Sequence, residues 1–346
     1  MLVLNLKLRN IRIFEKKEIG FDQGANLIVG PNGSGKTTII ESIALFGFGQ
    51  LQSVKNDFWA VSRGEDVGRI ELESDFSDAS VAILEGKKII KIKDNKQPLS
   101  ELIGYLKMIS FNPETIDLVK GAPSRRRSEL DQVICFKDKK FVLDLLAYKK
   151  ILRQRNGLLK MINRNRARRE DLGFWNKKIA SFGEKIFLKR CELINYINTA
   201  LSTTHTGLVG AKSSLEISYR PSTPYDDLLA EISNSMEKDI ATASTQIGPH
   251  RDDFTFIQGE FDLAQGASRG EQRVATIAFK IETKKYLTTE EGEPIVLLDD
   301  VFSELDEKRK DSIRQIIGSG QVVISATDKS SVPGEILRRA KIIELK

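Results

Sequence analysis

Gly30-Pro31-Asn32-Gly33-Ser34-Gly35-Lys36-Thr37 is a complete G-x-x-x-x-G-K-T loop, and its flanks suit it. Ala25 to Val29 before it predicts a short buried strand, and Thr38 to Leu45 after it predicts a helix. Glycines at these spacings let backbone N–H groups curl around an anion, and the helix start adds partial positive charge. Lys36 can reach the β- and γ-phosphates of a nucleotide, and Thr37 can ligate Mg²⁺. A glycine-rich turn with no ligand would leave the agreement of strand, loop, Lys-Thr and helix unexplained. The expected nucleotide-binding residues are therefore Gly30, Asn32, Gly33, Ser34, Gly35, Lys36, Thr37 and Thr38. Lys36 is also expected to act in catalysis, and Thr37 on the metal.

The 346 residues suffice for two or three domains with ample core. No run of eighteen apolar residues occurs, so no membrane span is expected. Met1 to Lys7 alternates like a strand and lacks the layout of a signal peptide. Two cysteines, Cys135 and Cys191, argue against a disulfide framework and a zinc site, and fit a reducing cytoplasm. The net charge of +6 is mild, but its distribution is uneven. Arg125, Arg126 and Arg127 form one cluster. A second runs from Lys149 through Arg153, Arg155, Arg164, Arg166 and Arg168 to Arg169, with no acid before Glu170. Such a run is either a solvated helical face or a contact to a phosphate backbone.

Strand-like segments are expected at Leu4–Leu8, Ile11–Phe14, Val67–Leu72, Val81–Leu84, Lys88–Ile92 and Met108–Phe111. Between about Arg125 and Ser202 glycines are few and proline is absent. Leu145, Leu152 and Leu159 recur every seven residues there, which predicts a helix packed on another helix. A strand at Leu215–Tyr219 and a helix over Asp226–Ala243 follow. From Gly248 the pattern returns to α/β. It has strands at Asp253–Phe256, Glu260–Leu263, Ile295–Leu298, Val322–Ser325 and Lys341–Leu345, and helices over Glu271–Leu287 and Glu307–Ile317. The expected organisation is one α/β domain from residues 1–110 plus 245–346, interrupted by a mainly helical insertion at 111–244.

Ile295-Val296-Leu297-Leu298-Asp299-Asp300 is the partner such a loop needs. Asp299, at the end of a buried strand, can hold Mg²⁺, and Asp300 can polarise an attacking water. Upstream, Ser268-Arg269-Gly270-Glu271-Gln272 opens a long helix whose N–H groups favour an anion, although Ser268 also suits a plain N-cap. Downstream lies Ser303-Glu304-Leu305-Asp306.

That order is similar to the signature, magnesium strand and D-loop of ATP-binding cassettes. It resembles the ATPase heads of the structural-maintenance-of-chromosomes and Rad-fifty class, and more closely the bacterial RecF recombination mediator family. The stretches that carry the resemblance span nearly the whole chain. They are Leu8–Arg12, Gly30–Thr37, Asp117–Gly121 with Arg125–Arg127, Gly248–Asp253, Ser268–Arg273 and Leu297–Asp306. Gly-Pro-His-Arg-Asp-Asp and Leu-Asp-Asp-Val-Phe-Ser-Glu-Leu-Asp are the most selective.

The resemblance implies an ABC/SMC-type P-loop ATPase head with a mainly helical inserted domain, and ATP with Mg²⁺ as cofactors. It implies an ATP-driven homodimer in which Ser268, Gly270, Glu271 and Gln272 of one copy complete the nucleotide site of the other. It further implies binding to duplex DNA or single-/double-strand junctions and a weak, DNA-stimulated ATPase acting as a switch. RecR and RecO are the implied partners. The implied roles are recombinase loading at gaps, recombinational repair, replication restart and the SOS response, in a bacterial cytoplasm near the nucleoid. Arg125, Arg126, Arg127, Arg153, Arg164, Arg166 and Arg168 are the expected DNA contacts.

Some positions depart from the cassette pattern. Asp300 stands where Glu is usual, one methylene shorter, which predicts slow turnover. The usual switch histidine is absent, and Thr327 is the expected substitute among Ser325 to Asp328. No Q-loop glutamine is evident, and Asn112 is its expected stand-in. His250 is expected to be structural or DNA-facing rather than a base. A transporter ATPase subunit would not have roughly 230 residues between loop and signature. A long-armed chromosome ATPase would show far longer heptad runs. A small-substrate kinase leaves Ser268–Gln272 unexplained, and no separate acidic cluster marks a nuclease.

Overall fold

The computed structural model describes residues 1–54, 56–112, 115, 118–304 and 313–346. The chain begins with β1 (Val3–Ile11), β2 (Phe14–Gly20), β3 (Ala25–Val29) and helix α1 (Lys36–Phe48). Next come β4 (Val67–Ser74), β5 (Asp78–Leu84), β6 (Lys87–Ile92), β7 (Asn95–Gln97) and β8 (Met108–Phe111). The helices α2 (Pro123–Lys137), α3 (Lys139–Asn163), α4 (Leu172–Asn198) and α5 (Leu201–Val209) follow. After them lie β9 (Leu215–Arg220), α6 (Leu228–Asn234), α7 (Met236–Thr242), β10 (Asp253–Gln258) and β11 (Phe261–Asp262). The chain closes with α8 (Arg269–Leu287), β12 (Ile295–Asp299), β13 (Val322–Ala326), α9 (Gly334–Arg339) and β14 (Lys341–Glu344). Single turns of helix lie at Leu99–Leu102 and Leu263–Gly266.

Two compact units result: Met1–Asp117 with Arg273–Lys346, and Leu118–Gln272. The first holds a parallel sheet in the order β14-β3-β13-β12-β8 and an antiparallel sheet in the order β2-β1-β4-β5-β6-β7. β12 and β13 are buried along their whole lengths, as their continuous apolar runs require. In the parallel sheet Ile324 of β13 stands between Leu298 of β12 and Leu27 of β3, so the loops after these strands open at one end. Ligands of open parallel sheets bind at that carboxyl end. In the antiparallel sheet, Glu85-Gly86 (φ 50° and 73°) makes the tight β5–β6 turn that the sequence suggests.

The second unit pairs α3 with α4. Leu145 and Leu159 of the predicted seven-residue series are buried and Leu152 is half-buried. Near the α3–α4 turn, Leu159, Ile162, Leu172 and Ile240 form a small apolar core. Deeper in, Arg155 is fully buried against Asp239 at 2.7 Å, and Arg190 grips Asp131 through two bonds of 2.9 and 3.0 Å.

Several expectations need correction. Ile11–Phe14 is the β1–β2 hairpin turn, not a strand: Arg12 has φ 49° and Ile11 pairs with Phe14. The helix expected over Asp226–Ala243 is two, parted at Ser235. The return to the first unit, expected at residue 245, comes at Arg273, because β10 pairs along its length with β9. Of the helix expected over Glu307–Ile317 only residues 313–317 fall among the described residues, and these are helical. Leu305, Asp306 and Asp117 lie outside the described residues. No helix among the described residues is long and apolar enough to cross a membrane.

Candidate functional site

The loop from Gly30 to Thr37 joins β3 to α1. Gly35, the N-cap of α1, has φ 93° and brings no side chain to the helix start. The first turn carries Lys36 and no acid, so the N–H groups there are left to a ligand. A Cβ at Gly35 would lie 2.3 Å from the Phe14 ring, and one at Gly30 would lie 2.6 Å from Ser34 Oγ and 2.8 Å from the Leu345 carbonyl. Both positions thus require glycine. Ser34 Oγ is buried with no hydrogen-bond partner, a polar group the fold leaves unsatisfied inside the cradle. The Lys36 ammonium donates to the carbonyls of Gly30 (2.7 Å) and Pro31 (2.9 Å), bent over the loop. These features fit a polyphosphate.

Thr37 Oγ1 donates to Asp299 Oδ1 at 3.3 Å, which joins the loop to the end of β12. Ser325 of β13 donates to the same oxygen at 2.6 Å and accepts from the Asp300 N–H at 3.0 Å. Burial pushes the Asp299 carboxyl above the usual carboxylate range, against the hydrogen bonds from Ser325 and Thr37. A buried carboxylate beside a hydroxyl is an oxygen donor set that suits Mg²⁺ completed by phosphate and water. Among the described residues no group of three or more His, Cys, Asp or Glu could hold a metal by itself.

Arg12, in the hairpin turn, donates to Thr38 Oγ1 (3.3 Å) and Glu41 Oε2 (2.5 Å), and Ser53 donates to the same Glu41 oxygen (2.8 Å). Thr38 is thereby buried under an arginine rather than open to the loop. Asn32 is exposed at the loop's crest and Gly33 has φ 85°. Asn112 follows β8 at the same end of the sheet. Its oxygen accepts from the Thr115 N–H (2.7 Å), and its amide reaches Gln52 Oε1 at 3.5 Å. Thr327, the expected switch residue, is exposed beyond β13; Ser325 is the residue of that strand that reaches the two aspartates.

The start of α8 lies in the second unit. Ser268 and Glu271 form a reciprocal cap: the Ser268 N–H and Oγ donate to Glu271 Oε2 at 2.8 and 2.7 Å. Ser268, Arg269 and Glu271 are exposed and Gly270 is half-buried. Gln272 is not offered to a ligand. It is buried, and its amide donates to the carbonyls of Leu263 and Ala267, both at 2.9 Å.

Residues 5–202 match the family model described as "AAA domain". "DNA replication and repair protein RecF" of Lachnoclostridium phytofermentans is 31% identical over 341 residues, covering 94% of this chain and 93% of that protein. The protein so named from Agathobacter rectalis is 32% identical over 341 residues, covering 94% and 92%. This chain belongs to the RecF family of DNA replication and repair proteins. The solved "recombination mediator protein RecF-ATP in RecFOR pathway" matches this RecF-family chain with a TM-score of 0.86 and 31% identity, covering 96% of this chain and 93% of that one. An Smc head bound to a winged-helix domain of ScpA matches at a TM-score of 0.54 and 15% identity, a likeness of fold alone. Both the resemblance and the ABC/SMC-type head fold read from the sequence are borne out.

The arginines of this RecF-family chain divide sharply. Arg126 is buried, with two bonds to the Asp253 carboxylate (2.8 and 2.7 Å) and others to the carbonyls of Leu118, Val119 and Gly121. It is a structural residue, not a DNA contact. Arg127, half-buried, donates to the Asp252 carbonyl at 2.7 Å, and Arg125 is half-buried. Arg153 is exposed on α3, and Arg164, Arg166 and Arg168 are exposed at the α3–α4 turn.

Most of the selective Gly248–Asp253 stretch is built into the second unit, with Arg251 exposed. The Pro249 carbonyl accepts from Arg190 at 2.6 Å. His250 contacts the Tyr148 hydroxyl at 2.6 Å and the Thr245 carbonyl at 3.0 Å, and burial lowers its pKa to about 4. Asp252 accepts from the hydroxyls of Tyr219 and Tyr225, each at 2.7 Å. His250 is therefore neutral at pH 7, and its contacts are those of the structural role, one of the two expected for it.

Proposed function

We propose that this chain is an ATP-gated DNA-binding recombination mediator, a slow switch ATPase rather than a motor. The observation that carries the reading is the loop cradle with its unsatisfied Ser34 hydroxyl, set at the same strand ends as the Thr37–Asp299–Ser325 group. Membership of the RecF family supports the DNA side of it, and the relative solved with ATP supports the nucleotide. In this reading the loop N–H groups and Lys36 hold the phosphates, with Lys36 exchanging its two carbonyl partners for phosphate oxygens. Thr37 and Asp299 hold Mg²⁺. When bound, ATP with Mg²⁺ supplies a transferable phosphoryl group whose charge the metal shares. Asp300 orients and deprotonates the attacking water, and its short side chain makes turnover slow. Ser268 and Gly270 of a second copy cover the phosphate end, so ATP favours the dimer over the monomer. Exposed cations, Arg153, Arg164, Arg166 and Arg168 among them, hold the DNA backbone, and RecR and RecO are the partners the family's pathway supplies. Recombinase loading, replication restart and the SOS response follow from that role.

Solution mass measured without nucleotide, with ADP, and with ATP and Mg²⁺, then with duplex DNA added, tests the reading. The expected result is a monomer that dimerises only with ATP and then retains DNA, with both steps lost in Lys36→Ala. A monomer under every condition would overturn the gated dimer. ATP binding by Lys36→Ala at wild-type affinity would remove the loop from the mechanism.

A further inference from the structure

One row on the open face of the antiparallel sheet is made of cations alone. Arg9 of β1 stands opposite Lys16 of β2 on one side and Arg69 of β4 on the other, and all three are exposed. Directly opposed residues of antiparallel strands share a face, about 5 Å apart, so three cations lie within about 10 Å. Like charges so placed repel one another.

The next row, two residues along, is balanced. There Lys7 stands between Glu18 and Glu71, 3.5 Å from the Glu18 carboxylate and 2.6 Å from that of Glu73. Glu18 is also held by Asn5 at 2.7 Å. In the cationic row only Arg69 touches a carboxylate, that of Glu71 at 3.4 Å. Arg9 and Lys16 make no ion pair or side-chain hydrogen bond among the described residues.

The row borders a shallow depression of about 190 Å³, whose lining also includes Lys7, Lys17, Glu18 and Glu71. Beyond Arg69 the row continues through Ala82 to Ile89, which bring no carboxylate. β1 is paired on both sides, so no free backbone N–H lines the face to enclose a small anion. Exposed, unenclosed cations in a line suit instead a polyanion, whose binding is driven by release of its own counterions.

We infer that Lys16, Arg9 and Arg69 form a contact strip for the phosphate backbone of duplex DNA, separate from the arginines of the α3–α4 turn. The inference rests on the DNA-binding reading above and adds to it a surface on the ATPase unit itself. The strip positions the duplex without reading bases, since it presents charge and no paired amide donors and acceptors.

The test compares wild type with Arg9→Gln/Arg69→Gln for binding to a labelled 30-base-pair duplex, with ATP and Mg²⁺, across roughly 50–200 mM salt. The double variant should bind at least about tenfold more weakly at the low end, and its log–log salt slope should be shallower by about 2. Melting temperature and ATP affinity should be unchanged. If the pair disturbs the sheet, Lys16→Gln on the edge strand should alone reduce the slope by about 1. A wild-type slope and affinity in both variants would overturn the strip while leaving DNA binding intact. Loss of inorganic phosphate binding with duplex binding unchanged would overturn it in favour of a small-anion site. Failure of the wild type to bind duplex would instead strike the reading on which the strip depends.

Discussion

Asp300 sits in the left-handed backbone region, φ 52°, immediately after β12, with its N–H held by Ser325 Oγ at 3.0 Å. Asp and Asn enter that region more readily than other L residues, because a short polar side chain can bond locally. This gives a backbone reason for a short acid where a glutamate is usual. It also supplies a clean test. Asp300→Asn keeps the conformation and removes only the carboxylate, so its melting temperature and ATP affinity should match wild type. Phosphate release should fall at least about tenfold and the ATP dimer should live longer. Asp300→Ala would confuse chemistry with a backbone cost of about 1 kcal/mol. Hydrolysis by Asp300→Asn at the wild-type rate would show that Asp300 does not handle the water.

At the scale of the element, the start of α8 must serve two roles at once. The Ser268–Glu271 cap satisfies helix N–H groups, and the proposed dimer asks the same turn to meet a phosphate. Ser268→Asp in a Glu271→Gln background separates the two: Asp caps a helix as well as Ser but opposes an anion, and the amide removes the carboxylate that accepts from Ser268 Oγ. Stability should stay within about 0.5 kcal/mol of the Glu271→Gln parent by urea titration, while the parent's ATP-driven dimerisation is lost. A Ser268→Asp/Glu271→Gln chain that still dimerises with ATP would leave this turn as a cap alone. The elements around the site were legible because each is a continuous apolar run ending in a chemical motif: β3 before the loop, β12 before Asp299, and β13. The β1–β2 turn was not, since Ile11, Ile13 and Phe14 continue a strand-like pattern through positive-φ residues that are not glycine. β7 is a three-residue polar strand with no hydrophobic signal. Arg126 and Arg155 read as part of a basic run because the carboxylates that bury them, Asp253 and Asp239, are far away in sequence. The same distance hid the unit boundary, which depends on β10 finding β9. The sequence does not single out Ser325, because nothing in an apolar strand marks which small residue faces the neighbouring aspartates.

For the molecule as a whole, both histidines fall in the Leu118–Gln272 unit, and burial lowers the pKa of each. His250 gives the larger handle, at about 4 against an ordinary 6.5. Burial is the main cause; Arg251 and Arg127 push the same way, and the Thr245 carbonyl and Asp252 oppose them. Between pH 6.5 and 4 the unfolded chain therefore takes up a proton that the folded unit refuses. The stabilisation is complete above pH 6.5 and is lost as pH falls, by roughly 2 kcal/mol at pH 5 for a shift of this size. The loss belongs to one unit, and each unit carries one of the two tryptophans, Trp59 in the first and Trp175 in the second. Urea unfolding followed by Trp175 fluorescence in a Trp59→Phe background should lose midpoint concentration between pH 6.5 and 5. The Trp59 signal in a Trp175→Phe background should move less, and His250→Gln should make the Trp175 profile shallower, leaving the part that belongs to His205. Equal shifts at both tryptophans would mean that the two units unfold as one cooperative block. A Trp175 midpoint unaffected by pH over that window would show that His250 gains no proton on unfolding, and the buried hub around Tyr148, Asp252 and Arg190 would have to be more open than its contacts imply.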